Sequence, residues 1–308
     1  MRILSLFDGI SCARVSLDRA SIPVTEYLAS EIDKNAIAVS TKNYPDIKQV
    51  GSVVGLSIQQ PIDLLIGGSP CTDLSIAKKD REGLEGSRSC LFWEYVRIKE
   101  ETNPKWFILE NVASMPKKDK DIITKALGVE PVLFNASLVS AQCRKRLFWT
   151  NIPFTLPEDR GILLKDILQP DAEVDERMVM KGKAFCLTAT YSKASASAGE
   201  IENSIKRKQR TMVKVGYIGE GQQYGQGGQA HRVYSTEGKT PTLSSSPSLV
   251  KVGHIRKLTP IECERLQGLP DDYTKGVATT HRYKCLGNAF NVDVVAHIIS
   301  QIAKKITE

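Results

Sequence analysis

The chain has 308 residues, of which 41% are hydrophobic, so it is long for one ordinary domain and sufficient for a main domain with a smaller second one. No apolar run approaches the roughly 20 residues of a membrane span and no leading stretch resembles a signal peptide, so we expect a soluble, intracellular protein without a membrane partner. The net charge of +7 is segregated: residues 177–257 contain 14 basic and 4 acidic residues, which suits a polyanion bound on one face or, more simply, a solvated basic surface.

The cysteines and histidines show no ligand pattern. Seven cysteines lie far apart without a C-x-x-C pair, and the four histidines have no ligand spacing beside them. Such spacing argues against a structural zinc ion and against a disulfide framework. We therefore predict that the protein has no metal site.

The first predicted unit is a strand over residues 3–7, a tight turn at Asp8 and Gly9, and a helix over residues 12–20. A second short strand ends at Glu31, about 20 residues after the turn, where an acidic side chain of a nucleotide-binding fold accepts hydrogen bonds from ribose hydroxyls. The turn lacks the pattern G-x-G-x-x-G. Because Asp8 would repel a pyrophosphate, the turn favours a cationic cofactor without phosphate, S-adenosylmethionine rather than NAD; a plain packing turn is the alternative.

A buried parallel strand is predicted next, within residues 62–75, and it ends in Gly67 and Gly68 before Pro70 and Cys71. Ligands of doubly wound sheets bind just beyond the carboxyl ends of the strands, where a thiol would be exposed enough to react. The glycines allow close approach and the proline fixes φ, which favours a held nucleophile over a buried structural cysteine. The polar, glycine-rich residues 72–89 predict a mobile lid, or else a plain solvent loop.

Three further candidate site residues, Glu110, Arg144 and Arg146, lie on or beside later predicted strands. A helix is predicted over residues 91–99 and a strand over 105–109 that ends at Glu110, where burial would raise the pKa of the carboxyl for proton donation and pair it with Cys71. An isolated strand-end glutamate is more often a cap or a salt-bridge residue. Strand alternation places Arg144 and Arg146 on one face, which suits carbonyl or phosphate recognition, with a solvated basic strand end as the alternative.

Composition changes at Pro153, where a connector leads into the basic segment with a Gly/Gln-rich run. Short strand-like pieces at 213–218, 232–234 and 248–252 predict a small, mostly β module without a sizeable core. Helices are predicted over 259–269 and over 288–305, the latter packing back on the main sheet. We therefore predict an α/β fold with a main domain over 1–155, completed by the C-terminal helix 284–308, and a second domain over 156–283.

The ordered motifs at residues 4–9, 30–31, 67–71, 109–112, 142–146, 256–260, 264–268 and 287–288 resemble those of the cytosine-5 DNA methyltransferases. The resemblance covers nearly the whole chain except about residues 165–230. The catalytic half, through residues 5–10 and 67–75, is similar to the animal de novo branch, and residues 231–234 and 238–243 are similar to bacterial and phage enzymes. The resemblance implies an S-adenosylmethionine-dependent methyltransferase with a Rossmann-like, mostly parallel sheet and a smaller, mostly β target-recognition domain. It also implies an enzyme that works in the cytoplasm of a prokaryotic or phage-infected cell.

The resemblance also implies a mechanism. Cys71 would attack C6 of a cytosine flipped out of double-stranded DNA, Glu110 would hold its exocyclic amine and N3, and Arg146 with Arg144 would grip the base and the backbone. The implied cofactor-binding residues are Phe7, Asp8, Gly9, Ile10, Cys12, Glu31, Ile32, Ser52, Val53, Gly68, Leu91, Asn288, Ala289 and Phe290. Ser52 stands where the family usually has an aspartate against the adenine amine, so weaker cofactor binding is expected.

Two other functions stay open: a tRNA cytosine-5 methyltransferase, and a catalytically inactive DNA-binding regulator of the same fold. The basic module favours DNA, because sequence reading needs a dedicated element in the groove. The presence of Cys71, Glu110 and both arginines argues against an inactive regulator. A monomer is expected, and a cognate restriction endonuclease is the one protein partner that the resemblance suggests. The recognition sequence cannot be read from the variable segment.

Overall fold

The computed structural model describes residues 1–70, 91–170, 172–194, 197–215 and 254–307. Three predictions lie outside the described residues: the conformation of Cys71, the lid at 72–89, and the strand-like pieces at 232–234 and 248–252. The strand that the sequence predicts at 213–218 is observed over Met212–Val215, and residues 216–218 lie outside the described residues.

A seven-stranded sheet forms the centre of the molecule. Its members are β1 (Arg2–Leu6), β2 (Glu26–Ser30), β3 (Lys48–Gln49), β4 (Leu64–Gly67), β5 (Trp106–Val112), β6 (Val132–Asn135) and β7 (Lys145–Thr150). Their order is β3-β2-β1-β4-β5-β7-β6. The pairs from β3 to β5 are parallel, whereas β7 is antiparallel to both β5 and β6. The predicted α/β fold with a mostly parallel sheet is confirmed.

Eight helices accompany the described strands. They are α1 (Cys12–Arg19), α2 (Lys34–Asn43), α3 (Leu91–Thr102), α4 (Lys117–Leu127), α5 (Ala198–Arg207), α6 (Pro260–Leu266), α7 (Thr279–Asn288) and α8 (Val292–Thr307). The sequence predicted α1, α3, α6 and α8, and a helix over residues 118–127 that is observed as α4, but not the other three. The α5 helix forms because Ser197 caps it and because Ile201 and Ile205, four residues apart, pack on Met178, Met212 and Ile255.

Side chains of the central strands alternate between two hydrophobic clusters, one on each face of the sheet. Ile3 packs with α1 and α8, whereas its neighbour Leu4 packs with α3 and α4. The same alternation holds on β5, where Ile108 belongs to the first cluster and Leu109 to the second. Glu110 is two residues beyond Ile108 and therefore points to the face that α8 covers.

The smaller part of the molecule contains β8 (Ala172–Val174), β9 (Val179–Met180), β10 (Lys183–Ala184), β11 (Met212–Val215) and β12 (His254–Lys257). Strands β12, β11 and β8 form an antiparallel sheet, and β9 pairs with β10. Its own buried cluster comprises Met178, Met212 and Ile255, in agreement with the small core that we predicted. Within the described ranges, no helix is long and apolar enough to cross a bilayer.

Candidate active site

The candidate site lies where β1, β2, β4 and β5 end, because parallel strands direct their carboxyl ends to the same edge of a sheet. Residues 7–11 follow β1, and Glu31 follows β2. Gly68 follows β4, and Glu110 lies in the last half of β5. The sequence predicted this convergence, since each motif follows or ends a predicted strand.

The turn after β1 differs from the sequence-based expectation in one respect. The Asp8 carboxylate is buried, with 4% of the residue exposed, and accepts hydrogen bonds from Ser11 Oγ and, at 2.6 Å, from the Tyr27 hydroxyl. Burial raises the pKa of Asp8 above its ordinary value. The hydrogen-bond partners of this carboxylate are therefore inside the protein, and its side chain does not contact a ligand directly.

Glu31 is held by the backbone on three sides. Its carboxylate accepts hydrogen bonds from the backbone N–H groups of Gly9 (2.8 Å), Ile32 (2.7 Å) and Asp33 (2.8 Å). The Ile32 side chain, in contrast, is 72% exposed beside it. A fixed carboxylate can accept from ribose hydroxyls through its remaining lone pairs, and an exposed apolar side chain suits the face of a purine. This pair fits the adenosyl part of S-adenosylmethionine.

Ser52 is the predicted replacement for the family's aspartate. It is exposed, and its hydroxyl oxygen accepts a hydrogen bond from the Val54 N–H at 3.1 Å. Val53 is buried with 5% exposed, whereas Val54 is 63% exposed. Because one lone pair of the hydroxyl is already used, Ser52 can offer a ligand one proton and one further lone pair.

The chain leading to Cys71 is anchored beside Glu110. A Cβ placed on Gly68 would lie 2.8 Å from Phe290 Cε1 and 3.2 Å from Glu110 Oε2, so only glycine fits between these two side chains. The buried Asn111 side chain donates to Ser69 Oγ at 3.1 Å. These contacts place Gly68 and Ser69, which precede Cys71 in the chain, next to the carboxyl of Glu110.

Glu110 forms an ion pair with Arg146 across β5 and β7, with 2.7 Å between Arg146 Nε and Glu110 Oε1. The two side chains are 14% and 17% exposed, so both are partly shielded from water and both remain accessible. A cavity opens beside them. Its lining residues are Glu110, Phe134, Ala136, Arg144, Arg146, Phe148, Phe290, Asn291 and Val294.

Arg144 and Arg146 both line this cavity, as the predicted strand alternation requires, but their partners differ. Arg144 is buried and donates to the backbone carbonyls of Leu187 (2.9 Å), Gly287 (3.2 Å) and Ala289 (2.9 Å). Burial is the main cause that lowers the pKa of Arg144. Its terminal N–H groups are thus engaged by the protein itself, so Arg144 holds three chain segments together rather than gripping a base.

The predicted cofactor residues separate by exposure. Phe7, Gly9, Glu31, Ile32, Ser52, Gly68, Leu91 and Asn288 are partly or fully accessible, whereas Asp8, Ile10, Cys12, Val53, Ala289 and Phe290 are buried. The Cys12 side chain is part of the hydrophobic core, and burial raises the pKa of its thiol. Buried members of the set can contact a ligand only through their backbone or support the pocket from behind.

Sequence reasoning missed the cavity-lining residues Phe134, Ala136, Phe148, Asn291 and Val294, and also two tyrosines that hold the turn after β1. Tyr27 donates to Asp8, and Tyr273 donates its hydroxyl proton to the carbonyl of Ile10 at 2.8 Å. Tyr273 lies 263 residues from its partner, so no local pattern could have indicated the contact. In the part of the chain that the structure describes, no group of three or more potential metal ligands occurs.

The sheet order, the antiparallel β7 and the strand-end site are those of an S-adenosylmethionine-dependent methyltransferase fold, and solved structures agree. The methyltransferase EhMeth of Entamoeba histolytica is similar with a TM-score of 0.67 and 18% identity, covering 100% of this chain and 99% of that one.

Residues 1–304 match the family model described as C-5 cytosine-specific DNA methylase. The chain is 28% identical over 336 residues to the Type II methyltransferase M.HhaI of Haemophilus parahaemolyticus, covering 99% of this chain and 95% of the relative. It is 27% identical over 339 residues to M.Bsp6I of Bacillus sp. strain RFL6, with 99% of each covered. The chain therefore belongs to the C-5 cytosine-specific DNA methylase family, and membership implies the use of S-adenosylmethionine.

Proposed function

We propose that this chain transfers a methyl group from S-adenosylmethionine to C5 of a cytosine in a specific sequence of double-stranded DNA, with Cys71 as nucleophile and Glu110 as its partner. One observation carries the proposal: the Glu110–Arg146 ion pair lies beside Gly68, three residues before Cys71 in the chain. The relatives M.HhaI and M.Bsp6I are Type II methyltransferases, which supports DNA as the substrate.

In the proposed reaction, the Cys71 thiolate adds to C6 of the cytosine ring, and the electron pair of the C5–C6 double bond becomes available at C5. Glu110, which lies against Arg146, holds the exocyclic amine and N3 of the base and gives N3 a proton as the thiolate adds, so that no net negative charge builds up on the ring. S-adenosylmethionine, when bound, supplies an electrophilic methyl group. The new C5–methyl bond replaces the methyl–sulfonium bond of the cofactor, which is left as a neutral thioether. Loss of the C5 proton to water then restores the double bond and expels the Cys71 thiolate, and N3 returns its proton to Glu110. The cytosine is flipped out of the helix, because C6 is not accessible inside a duplex.

We propose Phe7, Gly9, Glu31, Ile32, Ser52, Gly68, Leu91 and Asn288 as the residues that line the cofactor site directly. We also propose that residues 1–155 with helix 284–308 form the catalytic domain and that 156–283 read the DNA. Leu258, Cys263 and Leu266 pack in the same cluster as Ile3, so the end of the proposed recognition region is anchored on the catalytic core. The bacterial relatives favour a cytoplasmic enzyme, with or without a cognate endonuclease.

The first prediction tests the nucleophile. Cys71→Ala should abolish methylation of duplex DNA while DNA binding persists, since only the attacking sulfur is removed. Bisulfite sequencing of host DNA after expression measures the product and identifies the target sequence, and a gel-shift titration measures binding.

Cys143→Ala, which removes a half-buried thiol elsewhere, is the control and should keep activity. Full activity of the Cys71 variant would refute the mechanism. Equal transfer of a labelled methyl group to tRNA and to duplex DNA would favour the tRNA alternative.

A further inference from the structure

The turn between β1 and α1 has an unusual backbone. Three of its five residues have left-handed φ angles: Phe7 at 56°, Gly9 at 63° and Ser11 at 58°. Glycine adopts this conformation freely, whereas phenylalanine and serine do so at a cost. Such a conformation persists only where surrounding contacts determine it. The contacts that hold this turn are therefore part of how the site is made.

Asp8 is at the centre of those contacts. Its carboxylate accepts from Ser11 Oγ, which is at the N-terminus of α1, and from the Tyr27 hydroxyl on β2 at 2.6 Å. Ser11 Oγ also contacts Ser40 Oγ of α2 at 2.5 Å. One buried carboxylate thus ties the turn to a strand and, through Ser11, to two helices.

No basic side chain pairs with Asp8 among the residues that the structure describes. The titratable groups that face it are Tyr27 from β2, Glu31 just after β2, Cys12 from α1, and Tyr273 from the segment after α6. None of these supplies a positive charge. A buried carboxylate without a cation is costly for stability, so a purely structural role would be served better by a neutral side chain.

We propose that Asp8 is a positioning residue for the cofactor: by accepting from Ser11 and Tyr27, its carboxylate holds residues 7–11 in the conformation that presents the Gly9 N–H to Glu31. This inference rests on the proposed function, because it assigns the turn to the cofactor site. The Gly9 N–H donates to Glu31 Oε2 at 2.8 Å, so a change in the turn directly alters the carboxylate that would bind the ribose.

The experiment uses Asp8→Asn, which keeps the shape but removes the charge, in the full-length protein. Titration calorimetry with S-adenosylmethionine between pH 6 and 8.5 measures Kd, steady-state assays measure kcat, and thermal unfolding without cofactor measures Tm. Asp121→Asn, an exposed aspartate paired with Lys117 on α4, is the matched control. Tyr27→Phe removes one donor and serves as the second variant.

We expect Asp8→Asn to raise the Kd about tenfold at pH 8, corresponding to the loss of a hydrogen bond to a charged group, with kcat within about twofold of the unmodified protein. Tyr27→Phe should raise the Kd in the same direction, and Asp121→Asn should leave it unchanged. As the pH falls through the raised pKa of Asp8, the unmodified protein loses the carboxylate and its Kd should approach that of the variant.

Tm separates positioning from a structural role. Because the pKa of Asp8 is higher in the folded protein than in the unfolded chain, the folded protein loses stability as the pH rises from about 4 through that pKa. Asp8→Asn should therefore have a Tm at pH 8 equal to or above that of the unmodified protein, although it binds the cofactor more weakly.

An unchanged Kd in both variants would overturn the proposal while leaving the proposed function intact. A large fall in Tm of both variants at pH 8 would also overturn it, since weak binding would then follow from a damaged fold. Failure of the unmodified protein to bind S-adenosylmethionine would overturn the proposed function and this inference together.

Discussion

At the scale of single residues, the site separates groups that act on a ligand from groups that hold the protein in place. Arg144, just before β7, and Arg146, on β7, line one cavity, yet one is bonded to backbone carbonyls and the other to Glu110. Arginine suits both positions because its planar guanidinium donates in several fixed directions at once. Lysine cannot reproduce this, so conservative substitutions should distinguish the two roles.

Arg144→Lys should lower the free energy of unfolding by about 3 kcal/mol, because several hydrogen bonds from a buried charged donor are lost. Arg146→Lys should instead lower kcat, since the Glu110 pair is loosened, with a loss of stability of at most about 1 kcal/mol at this partly exposed pair. Urea denaturation and methyl-transfer assays of both variants check this. Equal effects of the two substitutions on stability would contradict the separate roles.

At the scale of elements, the smaller part of the molecule is attached to the sheet through the start of α6. Thr259 Oγ1 accepts from the Glu262 N–H at 3.2 Å, and Glu262 Oε2 accepts from the Thr259 N–H at 2.8 Å, which is a capping box. Glu262 also pairs with Arg256 of β12 at 2.7 Å and is fully buried. One helix end thereby joins β12 of the smaller sheet to the main hydrophobic cluster, which contains Cys263 and Leu266.

Thr259→Ala should lower the free energy of unfolding by about 1 kcal/mol, because it removes the side-chain cap of α6. Thr259→Ser keeps the hydroxyl and should cost much less, which makes it the matched control. Thermal and chemical unfolding of both variants measure the difference. If Thr259→Ser lowered the free energy of unfolding as much as Thr259→Ala, the stabilisation would come from the threonine methyl group and not from the cap.

At the scale of the whole molecule, the excess positive charge lies in one segment. Residues 177–257 hold 14 of the 42 basic residues and only 4 of the 35 acidic ones. Within the described part of that segment, Lys206, Arg207 and Lys208 are exposed at the end of α5. Basic side chains near a helix C-terminus are also stabilised by the helix dipole, so their presence alone does not establish DNA contact. Salt dependence distinguishes the two roles.

The affinity for duplex DNA should fall on the order of 100-fold between 50 and 200 mM salt, which corresponds to about four phosphate contacts. Lys206→Ala and Arg207→Ala should each reduce the slope of log K against log salt by about 1. Lys117→Ala, which removes an exposed lysine from α4, should not change it. Fluorescence anisotropy over a salt series gives the slopes. Unchanged slopes in both Lys206→Ala and Arg207→Ala would exclude α5 from the DNA contact.

The sequence by itself determined four of the central strands, β1, β2, β4 and β5, the family, and the placing of Glu31, Gly68 and Glu110 at one edge. These features depend on hydrophobic periodicity and on motifs of adjacent residues, which are local properties of a chain. The same periodicity put Arg144 and Arg146 on one face, and the cavity that both line agrees with it. The predicted C-terminal helix 284–308 is wrong in one respect, because the structure has two helices there, α7 ending at Asn288 and α8 beginning at Val292.

Only the tertiary structure decided what each polar group bonds to. The Asp8 carboxylate is buried because Tyr27 and Ser11 donate hydrogen bonds to it there. The Arg144 guanidinium joins distant segments because it donates to the carbonyls of Leu187, Gly287 and Ala289. These partners are up to 145 residues apart in the chain. A side chain's environment depends on which distant segments pack around it, and that is set by the folded core as a whole rather than by neighbours in sequence.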